Sequence, residues 1–121
     1  DKALNREIAA ADLFIKPADM TALDQALCAA INAEKRRRDP AAQTVSLSGG
    51  SDWKCPTALE TPFVLAASTE PGKAGGLTFL VAPYIVGPYA EGSYEVSVPL
   101  AAFRALIAPA YAGEFGGGIK V

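Results

Sequence analysis

Apolar residues recur along this chain with two different periods, and the change from one to the other marks out its elements. Between Leu77 and Ala82, Leu77, Phe79 and Val81 fall at every second position, so their side chains share one face of a strand. Thr78, Leu80 and Ala82 make a second, also fairly apolar face, which predicts a central strand covered on both sides. Pro83 ends it, because proline donates nothing to a ladder. Tyr94, Val96 and Val98 alternate with Glu95 and Ser97, the pattern of a half-exposed strand. Thr61 to Ser68 has Phe63, Leu65 and Ala67 on one face and Val64 and Ala66 on the other. The turn from Thr69 to Gly76, with Pro71-Gly72 in it and Gly75-Gly76 as a flexible exit, joins the last two runs into an antiparallel hairpin. Val45 and Leu47 alternate loosely between Gln43 and Ser48, a candidate for a further short strand.

The helical period governs Pro17 to Arg38. Met20, Leu23, Leu27, Ala30 and Ile31 form one apolar stripe, with Asp19 as N-cap and Pro40 as the stop. Asp24 near the start and Lys35, Arg36, Arg37 and Arg38 at the end suit the helix dipole. That accounts for the basic cluster without a nucleic-acid partner. Leu100, Phe103, Leu106 and Ile107 repeat the helical spacing behind Pro99, and Pro109 closes this second, short helix. A strand meander and a long helix each have one apolar side to bury, so they pack on each other. The expected fold is α+β: an antiparallel sheet of three or four strands, one long helix on one face and a short C-terminal helix. The expected boundaries are an N-terminal segment over 1–16 that could end an upstream region, a single domain over 17–118, and a tail over 119–121. In the first segment Leu4, Ile8, Leu13, Phe14 and Ile15 are the apolar anchors. They are read either as a brief turn capped by Asp12 or as a short edge strand at 13–15. The glycine-rich stretch from Gly113 to Gly118 is expected to be mobile beyond Phe115.

Composition narrows the chemistry. The 121 residues carry a net charge of −2, which draws the chain to neither nucleic acid nor an anionic membrane. No apolar run is long enough to span a bilayer, and the sequence begins without methionine, as a mature or trimmed chain does. Histidine is absent, which removes the commonest general base and the commonest transition-metal ligand. Ser46, Ser48 and Ser51 therefore lack a triad partner. Two sulfurs alone make no zinc site, and no metal or cofactor is expected. Cys28 and Cys55 either bridge, closing a 27-residue loop worth about 3–4 kcal/mol, or remain buried thiols. In an exported chain the bridge is favoured. Trp53, two residues from Cys55, reads as packing cover.

The candidate surface is the loop between the last two strands, with Tyr84, Tyr89 and Glu91, followed by Glu95. Tyrosines held between prolines offer rigid contact area to a partner. Their structural alternative is to plug the end of the sheet and hydrogen-bond to backbone. Glu91-Gly92 reads first as turn chemistry. A carboxylate pair of Glu91 and Glu95 would be needed for acid–base hydrolysis.

The run F-x-x-x-P-Y-x-x-x-P-Y-A-x-G-x-Y-x-V-x-V-P, Phe79 to Pro99, resembles an extracytoplasmic bacterial domain. That domain is the C-terminal part of RsiV-type anti-sigma factors and accompanies PdaC-type peptidoglycan deacetylases. Leu13-Phe14 ahead of the long helix and the closing YAGEFGG at 111–117 are similar to the family's two ends. Ile85 departs from the family, which often has an acidic residue after the first Pro-Tyr. The resemblance implies an α+β fold, a periplasmic or surface location with membrane attachment only through an anchor upstream, and binding rather than catalysis. In the anti-sigma factors the related domain binds lysozyme, which implies an interface at Tyr84 and Tyr89. The expected function is a non-catalytic envelope module that engages a lysozyme-like protein or a cell-wall glycan fragment. Two alternatives are an accessory or weak hydrolase working through Glu91 and Glu95, and a purely structural domain.

Overall fold

In the computed structural model, residues 9–16, 18–49 and 53–120 are described, apart from the side chains of residues 10, 11 and 89. Leu4, Ile8 and the Gly50-Ser51 turn lie outside the described residues. A short helix, α1 (Ala10–Leu13), precedes the long helix, α2 (Thr21–Arg38). An irregular stretch then leads to the strands β1 (Phe63–Ala67), β2 (Ala74–Val81) and β3 (Tyr94–Pro99). They pair antiparallel in the order β1-β2-β3, the meander that alternation predicts. Phe63 lies opposite Phe79, and Phe79 opposite Val96, so the three strands turn the same period-two set to one face.

That face is the core. Phe63, Leu65, Leu77, Phe79, Val81, Tyr94, Val96 and Val98 are buried on it, and α2 covers them with Leu23, Leu27, Cys28 and Ile31. The rings of Phe14, Phe63, Phe79, Phe103 and Phe115 make tilted or edge-to-face pairs with centroids 5.6 to 6.5 Å apart. The outer face of β2 is not covered as expected. Thr78 and Leu80 are half-buried there, beside exposed Glu95 and Ser97 of β3, and Thr78 and Ser97 share a hydroxyl hydrogen bond of 2.8 Å. The one long helix has only one face to give, so the other side keeps polar residues.

Four local expectations need correction. α2 starts at Thr21 with Met20, and not Asp19, as its N-cap; Asp19 accepts the Thr21 N–H at 3.0 Å from one residue further out, and Asp24, in the first turn as the dipole favours, also accepts the Ala58 N–H. Val45 forms no strand. The Asn32 side chain donates to its carbonyl and accepts its N–H, both at 2.8 Å, in place of a neighbouring strand. Gly75 and Gly76 belong to β2. A Cβ on either would strike backbone, of Gly118 and Val98 respectively, so they serve close approach and not flexibility.

The fourth concerns both ends of the domain. Leu100 to Ile107 is two 3-10 turns, Leu100–Ala102 and Arg104–Leu106, with Phe103 at φ −142° between them. The chain there is claimed by the 13–15 segment: Ile15 N–H donates to Leu106 O and Ala108 N–H to Leu13 O. Phe14 and Ile107 form an antiparallel bridge, so the strand reading of 13–15 survives as this single bridge after α1. Pro109 opens a helical turn, α3 (Pro109–Ala112), instead of closing one. The glycine-rich end is held in place. Gly116 N–H donates to Ala74 O, Thr69 N–H to Gly118 O and Lys120 N–H to Ala67 O, and Phe115 is buried.

Candidate functional site

The loop from Ala82 to Ser93 leaves β2 and returns as β3 beside the C-terminal end of α2. Two prolines and Gly87 shape it, and Val86 is its buried anchor. Lys35 continues the stripe of Leu23, Leu27 and Ile31 by one more turn, so its stem enters the core and its ammonium ends under the loop. Lys35 is 4% exposed; it donates to Val86 O and to Glu91 Oε1, both at 2.9 Å. Tyr94 O–H donates to the same Glu91 oxygen at 2.7 Å. Arg38, the last residue of α2, stacks its guanidinium 3.9 Å from the Tyr94 ring and donates to Glu91 O and Ser93 O. A Cβ at Gly87 would occupy the position of the Glu91 carboxylate, so only glycine leaves room for it.

This network fixes the charge states. The Tyr94 hydrogen bond, followed by the one from Lys35, holds the Glu91 carboxyl below its ordinary value. Burial first, then the bond to Glu91, pushes the Tyr94 phenol up to about 12. Glu34 is drawn down to about 2 by hydrogen bonds from Arg37 and Arg38 on the open side of the helix.

Beside the network lies a cleft of about 580 Å³, within the usual size of small-ligand sites. Its floor is Lys35, Glu91 and Tyr94; its walls are Trp53, the 41–45 segment and the loop at Val86 and Pro88. The Cys28–Cys55 disulfide, with Cα atoms 5.4 Å apart, ties the strand of chain that carries Trp53 to α2. The bridge fits an oxidising, extracytoplasmic compartment. Among the described residues no helix is long and apolar enough to cross a membrane. A second cavity of about 380 Å³, mostly apolar, lies on the outer face between Pro56, Pro62, Leu80 and Ile85.

Tyr84 does not plug the sheet. It is 65% exposed, holds φ at +72° and sets its ring edge-on to Trp53, with centroids 5.0 Å apart. Positive φ is unfavourable for a bulky residue, and such strain concentrates at functional positions. Tyr89 begins a 3-10 turn (Tyr89–Glu91); its side chain lies outside the described residues. Glu91 is the centre of a network and not a simple turn residue. Glu95 stands on the outer face and lines a different cavity, so the two carboxylates do not share the cleft. Sequence reasoning missed Lys35, Arg38 and Tyr94 as site residues. The available signal was a lysine in register with the buried stripe.

Residues 11–101 match the model of a family described as a protein of unknown function, DUF3298. This is most of the chain, and the chain belongs to that family. No curated protein and no solved structure matches it.

Proposed function

We propose that this domain is a non-catalytic, extracytoplasmic binding module whose recognition surface is the cleft and rim formed by the Pro-Tyr loop, Trp53 and the end of α2. The observation that carries the proposal is the Tyr84–Trp53 pair, a strained and solvent-facing aromatic corner beside a cleft with a rigid polar floor. Exposed aromatic residues on a pre-organised frame are what recognition surfaces use, because little entropy is lost on binding. The resemblance to the extracytoplasmic part of RsiV-type anti-sigma factors and to the partner domain of PdaC-type deacetylases supports a cell-wall-related ligand, a lysozyme-like protein or a peptidoglycan fragment. It also supports a periplasmic or surface location, with a lipid or membrane anchor supplied upstream. Tyr84 and Glu91 belong to this surface, Tyr84 by direct contact and Glu91 by holding the loop. Tyr89 is assigned to it from its place in the second Pro-Tyr corner.

Calorimetric titration of the folded domain with lysozyme and with purified muropeptides tests the reading. Binding of either that Tyr84→Ala weakens is the expected result. Folded protein that binds neither would overturn it. The hydrolase alternative has less support, since Glu91 and Glu95 line separate cavities and the Glu91 carboxylate is already engaged by Lys35 and Tyr94.

A further inference from the structure

We infer that the cleft takes a hydroxyl-rich ring, a neutral pyranose unit, and discriminates against anionic ligands of the same size. The inference rests on the binding reading above and adds the class of ligand. Its first ground is charge. The cleft is lined by two cations, Lys35 and Arg38, and two anions, Asp39 and Glu91, so its formal charge is 2 − 2 = 0. The two cations are also committed. Lys35 is paired with Glu91 and Val86 O, and Arg38 with two carbonyls, Glu34 and the Tyr94 ring. An anionic ligand entering here would lose hydration and find both cations already committed, which is a penalty, whereas Asp39 and Glu91 leave no such bar to a cation.

The second ground is the arrangement of what remains. Both short contacts to the Glu91 carboxylate, from Lys35 and from Tyr94, fall on Oε1, and the side chain is 37% exposed. Its second oxygen takes neither of these bonds, and the side chain lines the cleft. Hydroxyl donors satisfy a carboxylate oxygen through strong charge-assisted bonds without adding charge. Gln43 and Thr44, both exposed, add an amide and a hydroxyl on one wall. Trp53 supplies an aromatic surface on the other, steadied by Tyr84. An apolar ring face against an aromatic wall, with hydroxyls turned to that carboxylate, is the complement of these groups.

Trp53 is the sole tryptophan, so its fluorescence reads the cleft directly. The probes are triacetylchitotriose, which is neutral, and trigalacturonate, which is anionic. The expected result is a saturable change in Trp53 emission with the neutral trisaccharide, and binding at least about tenfold weaker for the anionic one. Gln43→Ala, a surface change, should weaken the neutral ligand several-fold with the fold intact by circular dichroism. Glu91→Gln should weaken it more. Equal or tighter binding of trigalacturonate, or no response to either probe, would overturn the inference. If lysozyme binds by calorimetry while no saccharide does, the binding reading stands and the pyranose assignment falls. If neither binds, both fall.

Discussion

The two ends of the sheet are built on opposite principles. At one end Phe14, Phe103 and Phe115 close the core with rings and backbone bonds, and no ion pair is present among the described residues there. At the other end the core gives way to Lys35, Glu91, Tyr94 and Arg38, four polar side chains that satisfy one another beneath a loop. The apolar end is non-directional and tolerant of shape changes that conserve volume. The polar end is specific: removing Glu91 alone leaves the buried Lys35 ammonium behind. Function is more readily placed at the second end, where rigidity comes from geometry and aromatic surface remains exposed.

The contrast predicts unequal consequences. The largest belong to the apolar core. Phe79→Ala removes a fully buried ring that packs edge-on to Phe63 and should cost about 3–5 kcal/mol, read as a lower midpoint in urea. Next is the disulfide. Replacing Cys28 and Cys55 together by alanine should cost about 3–4 kcal/mol and also loosen the wall that carries Trp53, seen as a red-shifted emission.

A smaller effect is expected at the polar end. Glu91→Gln strands the Lys35 ammonium and should cost about 2–3 kcal/mol, less than a fully buried pair because Glu91 still meets solvent. The double variant Lys35→Met with Glu91→Gln should recover part of that loss, since no unpaired charge remains. A double variant no more stable than Glu91→Gln would show that the ion pair is not what holds the loop.

How much of this was readable in sequence follows the same division. The strands and α2 were legible because their burial has a period of two or of about 3.6, and the residues that repeat are neighbours in the chain. The cysteine pair was legible from its count alone. Lys35 was assigned to the helix dipole because its partners lie 51 and 56 residues away, in a loop whose path no local rule fixes. Phe103 kept a helical spacing with Leu100 and Leu106, yet the backbone around 106–108 was taken by Leu13 and Ile15. The tail looked mobile because glycine is flexible in isolation. Here its lack of side chain admits close backbone contact with β2.

The smallest predicted effects are in pH, and their signs follow from the network. Glu91 titrates below its ordinary 4.5 in the folded protein, so its contribution is present above that pH and fades as pH falls through the folded value. Tyr94 titrates at about 12 when folded against 10.0 otherwise, so its contribution is complete below pH 10 and is lost as pH rises from 10 towards about 12. The stability difference between wild type and Glu91→Gln should therefore narrow on acidification. Tyr94→Phe should remove the alkaline loss. Glu34 titrates in all these variants and cancels in the comparison.

The central claim is that ligand is recognised at the polar end of the sheet. It is tested most directly by following backbone amide shifts in NMR as a solubilised cell-wall digest containing lysozyme is added. The account predicts that the perturbed amides gather at 38–45, at 53 and at 84–91. Shifts confined to the Phe103–Phe115 end, or spread along the outer face around Leu80, would contradict it.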